Sequence, residues 1–446
     1  MLEKKLSGEE KYIARFPKSR LLYEKAKRLF PGGVTHDGRF LLPFPICITH
    51  ASGSHMWDVD GYEYIDYFGG HGALILGHNH PSLIKAINSQ IERGVHYGAP
   101  HELEMEWADL VKSLIPSAEL VQFTNSGTEA GIIGIRLARA FTGREKVVKF
   151  RTHFHGLTSP VMVGMTEPWD IPITAGLADG ETEDTIAVPC NDEKVLEDAL
   201  SARDVAVLMA EPSNAGIAFS FYQTMRDLTK KYGTLLLFDE VVSGFRYSSG
   251  GMQKVVGVIP DLTMLGKILG GGVPVGAIVG RADVMNMMDF KDSEWNRYKR
   301  VVHTGTWCAN PLTCAAGVAT LKILATGEPQ KHADKVASRL REGIQRAMDK
   351  RGVSGCAYGS FSMFNVYLGN CPLQDKCDRT VCLNTSKAMP PDLARLAIIN
   401  LALNGVHVLG RAGPFGLVSA AHTEEDIDKT IEAFDTSLVA LSNVKR

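Results

Sequence analysis

Residues 261–280 read DLTMLGKILGGGVPVGAIVG. Two short apolar runs, LTMLG (262–266) and VGAIVG (275–280), flank one lysine, Lys267, set among leucine, isoleucine and glycine. Runs of this length suit buried strands better than helices. The same punctuation recurs upstream in ELVQF (119–123), KVVKF (146–150), VAVLMAE (205–211) and TLLLFDE (234–240), with helical stretches between. Short β-rich runs separated by helices imply a largely parallel sheet covered on both faces. The expected fold class is therefore α/β, with one large central domain.

The ends of the chain read differently. The first 35 residues look like one polar amphipathic helix closed by Pro31-Gly32-Gly33. A strand-rich stretch follows, with a hairpin turn expected at Asp60-Gly61. After residue 328 come a long helix, the run FSMFNVYL, a helix near 391–404, the run LVSAA and a last helix from Thr423. These pieces predict a smaller α+β domain made from both termini, with boundaries at 1–72, 73–327 and 328–446.

Composition narrows the function classes. The chain has 446 residues, 45% hydrophobic and 22% charged, with a formal net charge of −2. That is an ordinary globular balance, and a core of this size needs no disulfides. No basic excess points to nucleic acid, and no polybasic run points to lipid. No stretch approaches the roughly 18 apolar residues of a membrane span, and the charged N-terminus lacks the apolar segment of a secretory signal. A soluble, cytoplasmic protein is expected. The eight cysteines form no C-x-x-C pair. The tightest group, Cys371, Cys377 and Cys382, is poorly spaced for zinc, so free thiols and no metal are expected.

Four features carry candidate chemistry. In TNSGTEAGIIGIRLARAF (124–141), Ser126, Gly127 and Thr128 open a helix. Its free N–H groups and partial positive charge make a phosphate cradle, although Ser126 would serve equally as a plain N-cap. Asp239 ends an apolar strand, where a carboxylate meets ligands in open parallel sheets or caps the next helix. Glu211 ends another, held by Pro212 at the same edge or in a surface turn. Lys267 fails the Walker pattern: Asp261 stands where that motif has its first glycine, and Ile268 follows the lysine. The glycines after it lack dinucleotide spacing. Apolar surroundings disfavour an ammonium and leave a nucleophilic amine, the state a Schiff-base lysine needs; a strand-end lysine reaching for water is the plainer reading. Together, a phosphate cradle, an acid for a ring nitrogen and a desolvated amine are the needs of pyridoxal phosphate.

NSGTEA, FHG, AEP, FDEVVSGFR, LGKILGGGVPVGA and GTWCANPLTCAAG, in that order, resemble the class III aminotransferases of fold type I. The pattern is most similar to the glutamate-1-semialdehyde aminomutase branch, which includes D-phenylglycine and β-phenylalanine aminotransferases; YFGGHGALILGH and AYGSFSMF lean toward the D-phenylglycine side. The resemblance covers nearly the whole chain, from residue 31 into the last helix. It implies that Ser126, Gly127 and Thr128 hold the phosphate, that Phe154 stacks on the ring, with His155 beside it, and that Val241 packs on the opposite face. It implies that Asp239 pairs with the ring nitrogen, that Lys267 binds the cofactor aldehyde, and that Glu211 lies near the site. Thr306 is expected to reach the phosphate of a neighbouring subunit, which implies a homodimer with shared sites. Arg39 and Arg411 are candidate clamps for a substrate carboxylate, with a surface salt bridge the plainer role for Arg39. His71 stands where the aminomutase pattern has tryptophan, and Trp307 replaces a smaller residue. Both changes weigh against aminomutase activity and imply a pocket remodelled for an aryl or alkyl group. The resemblance as a whole implies an aryl D-amino acid or β-amino acid as favoured donor to a keto acid by ping-pong chemistry. A 2,1-aminomutase is the alternative, followed by a racemase or decarboxylase and by a catalytically silent cofactor-binding regulator.

Overall fold

The computed structural model describes residues 8–212, 216–369, 389–408, 410 and 413–442. The chain divides into two compact units: Pro81–Gln330, and a discontinuous one from Met1–His80 and Lys331–Arg446.

The first unit is built on a seven-stranded sheet. In chain order its strands are β1 (Leu120–Thr124), β2 (Lys146–Phe150), β3 (Thr185–Val188), β4 (Val205–Ala210), β5 (Leu235–Asp239), β6 (Leu262–Gly266) and β7 (Gly276–Gly280). Their spatial order is β1-β7-β6-β5-β4-β2-β3. Every residue of β4 to β7 is buried, which explains why these strands read as continuous apolar runs rather than alternating ones. The sheet is mixed rather than wholly parallel. β7 runs antiparallel to both β6 and β1, whereas the other four pairings are parallel. The short link from β6 to β7 explains this, since a parallel return needs a crossover of a dozen or more residues. β3, with partly exposed residues at the sheet edge, was not among the expected runs.

Because only β7 is reversed, the other six strands end at one edge. Asp261, at the opposite end of β6, ties that frame together. Its carboxylate accepts from Leu236 N at 2.8 Å, Arg226 Nη1 at 2.9 Å and Arg281 Nη1 at 2.8 Å. Asp261 and Arg226 are both buried.

The second unit carries an antiparallel meander, Ile48–Ser52, His55–Asp58 and Glu63–Asp66, extended in parallel by Val406–His407. A separate sheet joins Gly355–Tyr358, Met363–Leu368 and Phe415–Leu417. Leu340, Ile344, Phe364, Leu401 and Phe434 lie in its buried core. The single N-terminal helix expected from sequence is instead two helices, Gly8–Arg15 and Pro17–Ala26. Pro17 lacks an N–H and its ring would clash inside a helix, so it starts the second one. The Asp60 carboxylate receives Lys18 N and Ser19 N at that start, at 2.7 and 2.9 Å. Cys371, Cys377 and Cys382 lie outside the described residues. Among the described residues no cluster could hold a metal, and no helix is long and apolar enough to cross a membrane.

Replacing Asp261 with Ala strands the Arg226 guanidinium in the core. Breaking such a pair from one side costs about 3–5 kcal/mol. Asp261→Ala should lose that much stability in urea unfolding, and Asp261→Asn, which keeps an acceptor for Leu236 N, should lose less. Equal losses would refute the pairing argument.

Candidate active site

The common edge of the sheet collects the candidate residues of the first unit. After β1 the chain turns into the helix Gly127–Thr142. Ser126 caps it: its Oγ accepts from Glu129 N at 3.2 Å. The Glu129 carboxylate in turn accepts from Asn125 N at 2.8 Å. Ala130 N reaches Ser126 O, but Gly127 N and Thr128 N donate to nothing among the described residues. The cap and the cradle are thus compatible: Ser126 satisfies one amide and leaves two for an anion.

Close approach, rather than flexibility, makes two glycines necessary. A Cβ on Gly127 would lie 2.9 Å from Val241 Cγ2, and one on Gly276 would lie 2.1 Å from Ser126 O. The first lets Val241 pack directly against the helix start. The second lets β7 lie directly against the turn that shapes the cradle.

Asp239 ends β5 and is buried. Its Oδ2 accepts from His155 Nδ1 at 2.9 Å and its Oδ1 from Val241 N at 3.2 Å. Burial lifts its pKa to about 6 against the stabilising pull of the Val241 amide and Lys267. Burial likewise drives His155 down to about 3, with the nearby Lys149 charge adding to the effect. His155 is therefore neutral, its proton sits on Nδ1 facing Asp239, and its buried Nε2 has no partner among the described residues.

Glu211 follows β4. Its Oε2 accepts from Phe154 N at 3.2 Å, and its own N–H donates to His153 Nδ1 at 3.0 Å. Cys190 Sγ lies 3.5 Å from His153 Nε2. Phe154 itself is half exposed. Lys267 follows β6, partly buried, with φ of +45°. That conformation is unfavourable for a residue with a Cβ and marks a position held by its surroundings. Burial lowers the pKa of its amine, opposed by Asp239 and Glu211.

The structure thus brings Ser126, Gly127, Thr128, Val241, His155, Glu211, Asp239 and Lys267 to neighbouring strand ends. Thr306 and Trp307 lie exposed in the segment before the helix Pro311–Leu324, where the Trp307 ring packs 4.6 Å from His96. Arg39 and His71 belong to the other unit. Arg39 is exposed and its Nη1 donates to Thr35 Oγ1 at 2.8 Å; no ion pair holds it among the described residues. His71 takes φ of +59° and packs against His36 and Phe68, with ring centroids 4.4 and 4.1 Å away. Arg411 lies outside the described residues. Sequence reasoning missed His153 and Lys149. A charged residue inside the apolar run KVVKF was the available signal for the lysine, and the spacing in HFH was the signal for the histidine.

These residues fit pyridoxal phosphate on three counts. Two unpaired amides lie at the cradle, Val241 packs so close to Gly127 that no Cβ fits beside it, and a buried carboxylate has no permanently charged partner within ion-pair distance among the described residues. Comparison with known proteins agrees. The aminotransferase class-III family profile matches residues 39–356. The chain is 37% identical over 429 residues to a glutamate-1-semialdehyde 2,1-aminomutase of Thermodesulfovibrio yellowstonii, covering 93% of this chain and 97% of that protein. An omega-transaminase from Sphaerobacter thermophilus superposes with a TM-score of 0.87 at 32% identity, covering 96% of this chain and 99% of the other. A β-phenylalanine aminotransferase from Variovorax paradoxus gives 0.82 at 28%, covering 96% and 95%.

The Asp239 shift has a testable sign. Its carboxyl is raised in the folded chain, so the protonated form is favoured by folding, and ionisation costs stability as pH rises from 3.8 to about 6. Above pH 6 that cost is about 3 kcal/mol. Ligand-free Asp239→Asn should therefore be more stable than the parent at pH 8, by roughly 1–3 kcal/mol, and lose the advantage below pH 4. Urea unfolding at both pH values and one protein concentration checks this; no gain at pH 8 would contradict it.

Proposed function

Because the chain belongs to the class III aminotransferases, which are pyridoxal phosphate enzymes, we propose that it moves an amino group from an aryl D-amino acid or β-amino acid to a keto acid. The observation that carries the aminotransferase chemistry is the Asp239–His155 pair beside Lys267 at one sheet edge. Pyridoxal phosphate, when bound, supplies an aldehyde that condenses with amines and a ring that takes up electrons from a broken carbon–hydrogen bond.

The chain's own residues then divide the work. The amides of Gly127 and Thr128 hold the phosphate, with Thr306 reaching across from a neighbouring subunit. Asp239 carries the negative charge that favours a protonated ring nitrogen, and neutral His155 fixes the orientation of that carboxylate with its Nδ1 proton. Val241 fills one ring face and Phe154 the other. The lowered pKa of Lys267 leaves a share of free amine, so Nζ would hold the cofactor aldehyde and would take up a carbon-bound proton from the donor. Glu211, through Phe154 N, keeps the aromatic side chain in register. Arg39 and Arg411 are proposed for the substrate carboxylate, with His71 and Trp307 lining the space for its side chain. We place the enzyme in the cytoplasm as a homodimer. Cys47, Cys308 and Cys314 are free thiols, in keeping with a reducing compartment.

The exposed aromatics Phe154 and Trp307 favour an aryl donor. The second reading, a glutamate-1-semialdehyde-type 2,1-aminomutase, is favoured by the identity to relatives of that name. In both, Lys267→Ala should cut turnover by roughly 10²–10⁴-fold or more and remove the absorbance of lysine-bound cofactor; normal turnover would sink either reading.

Mixing the enzyme with D-, L- and β-amino acids, without acceptor, separates the two. Aryl D- or β-amino acids should convert the cofactor spectrum to its amine form. Spectral silence toward all amino acids, with isomerisation of one amino-aldehyde in the absence of an acceptor, would replace the transaminase by the mutase.

A further inference from the structure

Lys149 stands near the end of β2, one strand in from the sheet edge, with its side chain fully buried. An ammonium there needs strong compensation. No ion pair supplies it among the described residues. Its Nζ instead donates to Val161 O and Val163 O, both at 2.9 Å, and lies 3.4 Å from Met165 Sδ. Desolvation accordingly lowers its pKa to about 8, partly offset by the charge of Glu211.

The two carbonyls belong to the far end of the segment that leaves β2. That segment is closed a second time at its base, where Thr152 N donates to Gly164 O at 2.7 Å. Gly164 is itself pressed onto β3, since a Cβ there would lie 2.5 Å from Ala187 Cβ. Between the two ties lie Phe154, His155 and Gly156. His155 meets Asp239, and Gly156 lies so close to Thr128 that a Cβ would stand 2.6 Å from its Oγ1. The loop therefore touches both Asp239 and the phosphate cradle, and a buried charged side chain joins the backbone bonds that hold its far end.

We propose that Lys149 is a positioning residue for the cofactor site: its ammonium, bound to the carbonyls of Val161 and Val163, closes the 152–164 loop and so sets His155 against Asp239 and Gly156 against Thr128. The proposal rests on the pyridoxal phosphate reading for its consequence, but its geometric part stands on the protein alone. Lysine suits the task because a charged donor gives stronger bonds to carbonyls than a neutral one and can serve several acceptors at once. The Met165 thioether is a weak acceptor and adds little.

The test uses the full chain and two readouts. The first is hydrogen-exchange mass spectrometry of ligand-free protein. Lys149→Met, which keeps length and loses every donor, should raise exchange about tenfold in peptides spanning 151–165 and leave those of β6 and β7 unchanged. The second is titration of the stripped protein with pyridoxal phosphate, followed by fluorescence quenching. The dissociation constant should rise about tenfold or more. Lys149→Gln, which keeps donors on a shorter stem, should fall between, and Met165→Leu should match the parent in both readouts.

Parent-like exchange in 151–165 for Lys149→Met overturns the proposal. So does a general rise across the sheet, which would mean a purely structural lysine, and so does a loosened loop with unchanged cofactor affinity. If Lys149→Met does not fold, Lys149→Gln carries the same comparison. Failure of the parent itself to bind pyridoxal phosphate would refute the cofactor reading, while the exchange arm would still decide whether Lys149 closes the loop.

Discussion

A carboxylate buried without a permanent countercharge is the constraint around which the large unit is arranged. Asp239 is brought to the sheet edge by a strand whose five residues are all buried. Its neighbours there are a neutral imidazole and one amide, which satisfy its lone pairs but not its charge. A folded chain tolerates this only if rigid surroundings impose it. In the proposed role of Asp239, a cationic ring nitrogen would make the same position favourable, and the energy withheld in the free protein would reappear as cofactor affinity.

The rest of the edge follows the same logic of approach and desolvation. Six strands end together because only one is reversed, and that reversed strand is the one that lies on the cradle turn. Gly276 makes this contact possible, and Gly127 lets Val241 pack directly against the helix start. Lys267 adopts its strained backbone immediately after a fully buried strand. A positive backbone angle at Lys267 and the close approaches at Gly127 and Gly276 meet at one end of the sheet. At the other end, Asp261 with its two arginines shows how the same fold buries charge when stability alone is served.

Much of this was legible in the sequence because it depends on local rules. The apolar runs around Lys267, Asp239 and Glu211 announced central strands, and SGT before a helical pattern announced an open helix start. What escaped depended on pairing or on a single local breaker. The direction of β7 is set by a link too short for a crossover, and β3 lacked the apolar density of a central strand. Pro17 was visible, but the polar periodicity around it outweighed a single breaker. His153 and Lys149 were missed because they bond to backbone atoms distant in sequence, an amide at 211 and carbonyls at 161 and 163, and such partners leave no mark on side-chain patterns.

The division between the two proposed reactions also has a physical location. Both demand the same phosphate cradle, ring acid and lysine, so identity to aminomutases and overlap with transaminases are expected together in a chain that keeps this machinery. What separates the outcomes is whether the amino group's carbon skeleton stays in the site or leaves before a second substrate enters. That depends on the fit of the skeleton and on water, not on Lys267 or Asp239. The exposed Trp307, and His71 with its left-handed backbone in the other unit, are the positions where the sequence pattern differs from the aminomutase branch it resembles. Large flat side chains reward a flat substrate by contact area, whereas a small amino-aldehyde would leave them wet. Contact area at these side chains is therefore where the two proposed reactions separate, since the cofactor machinery serves both.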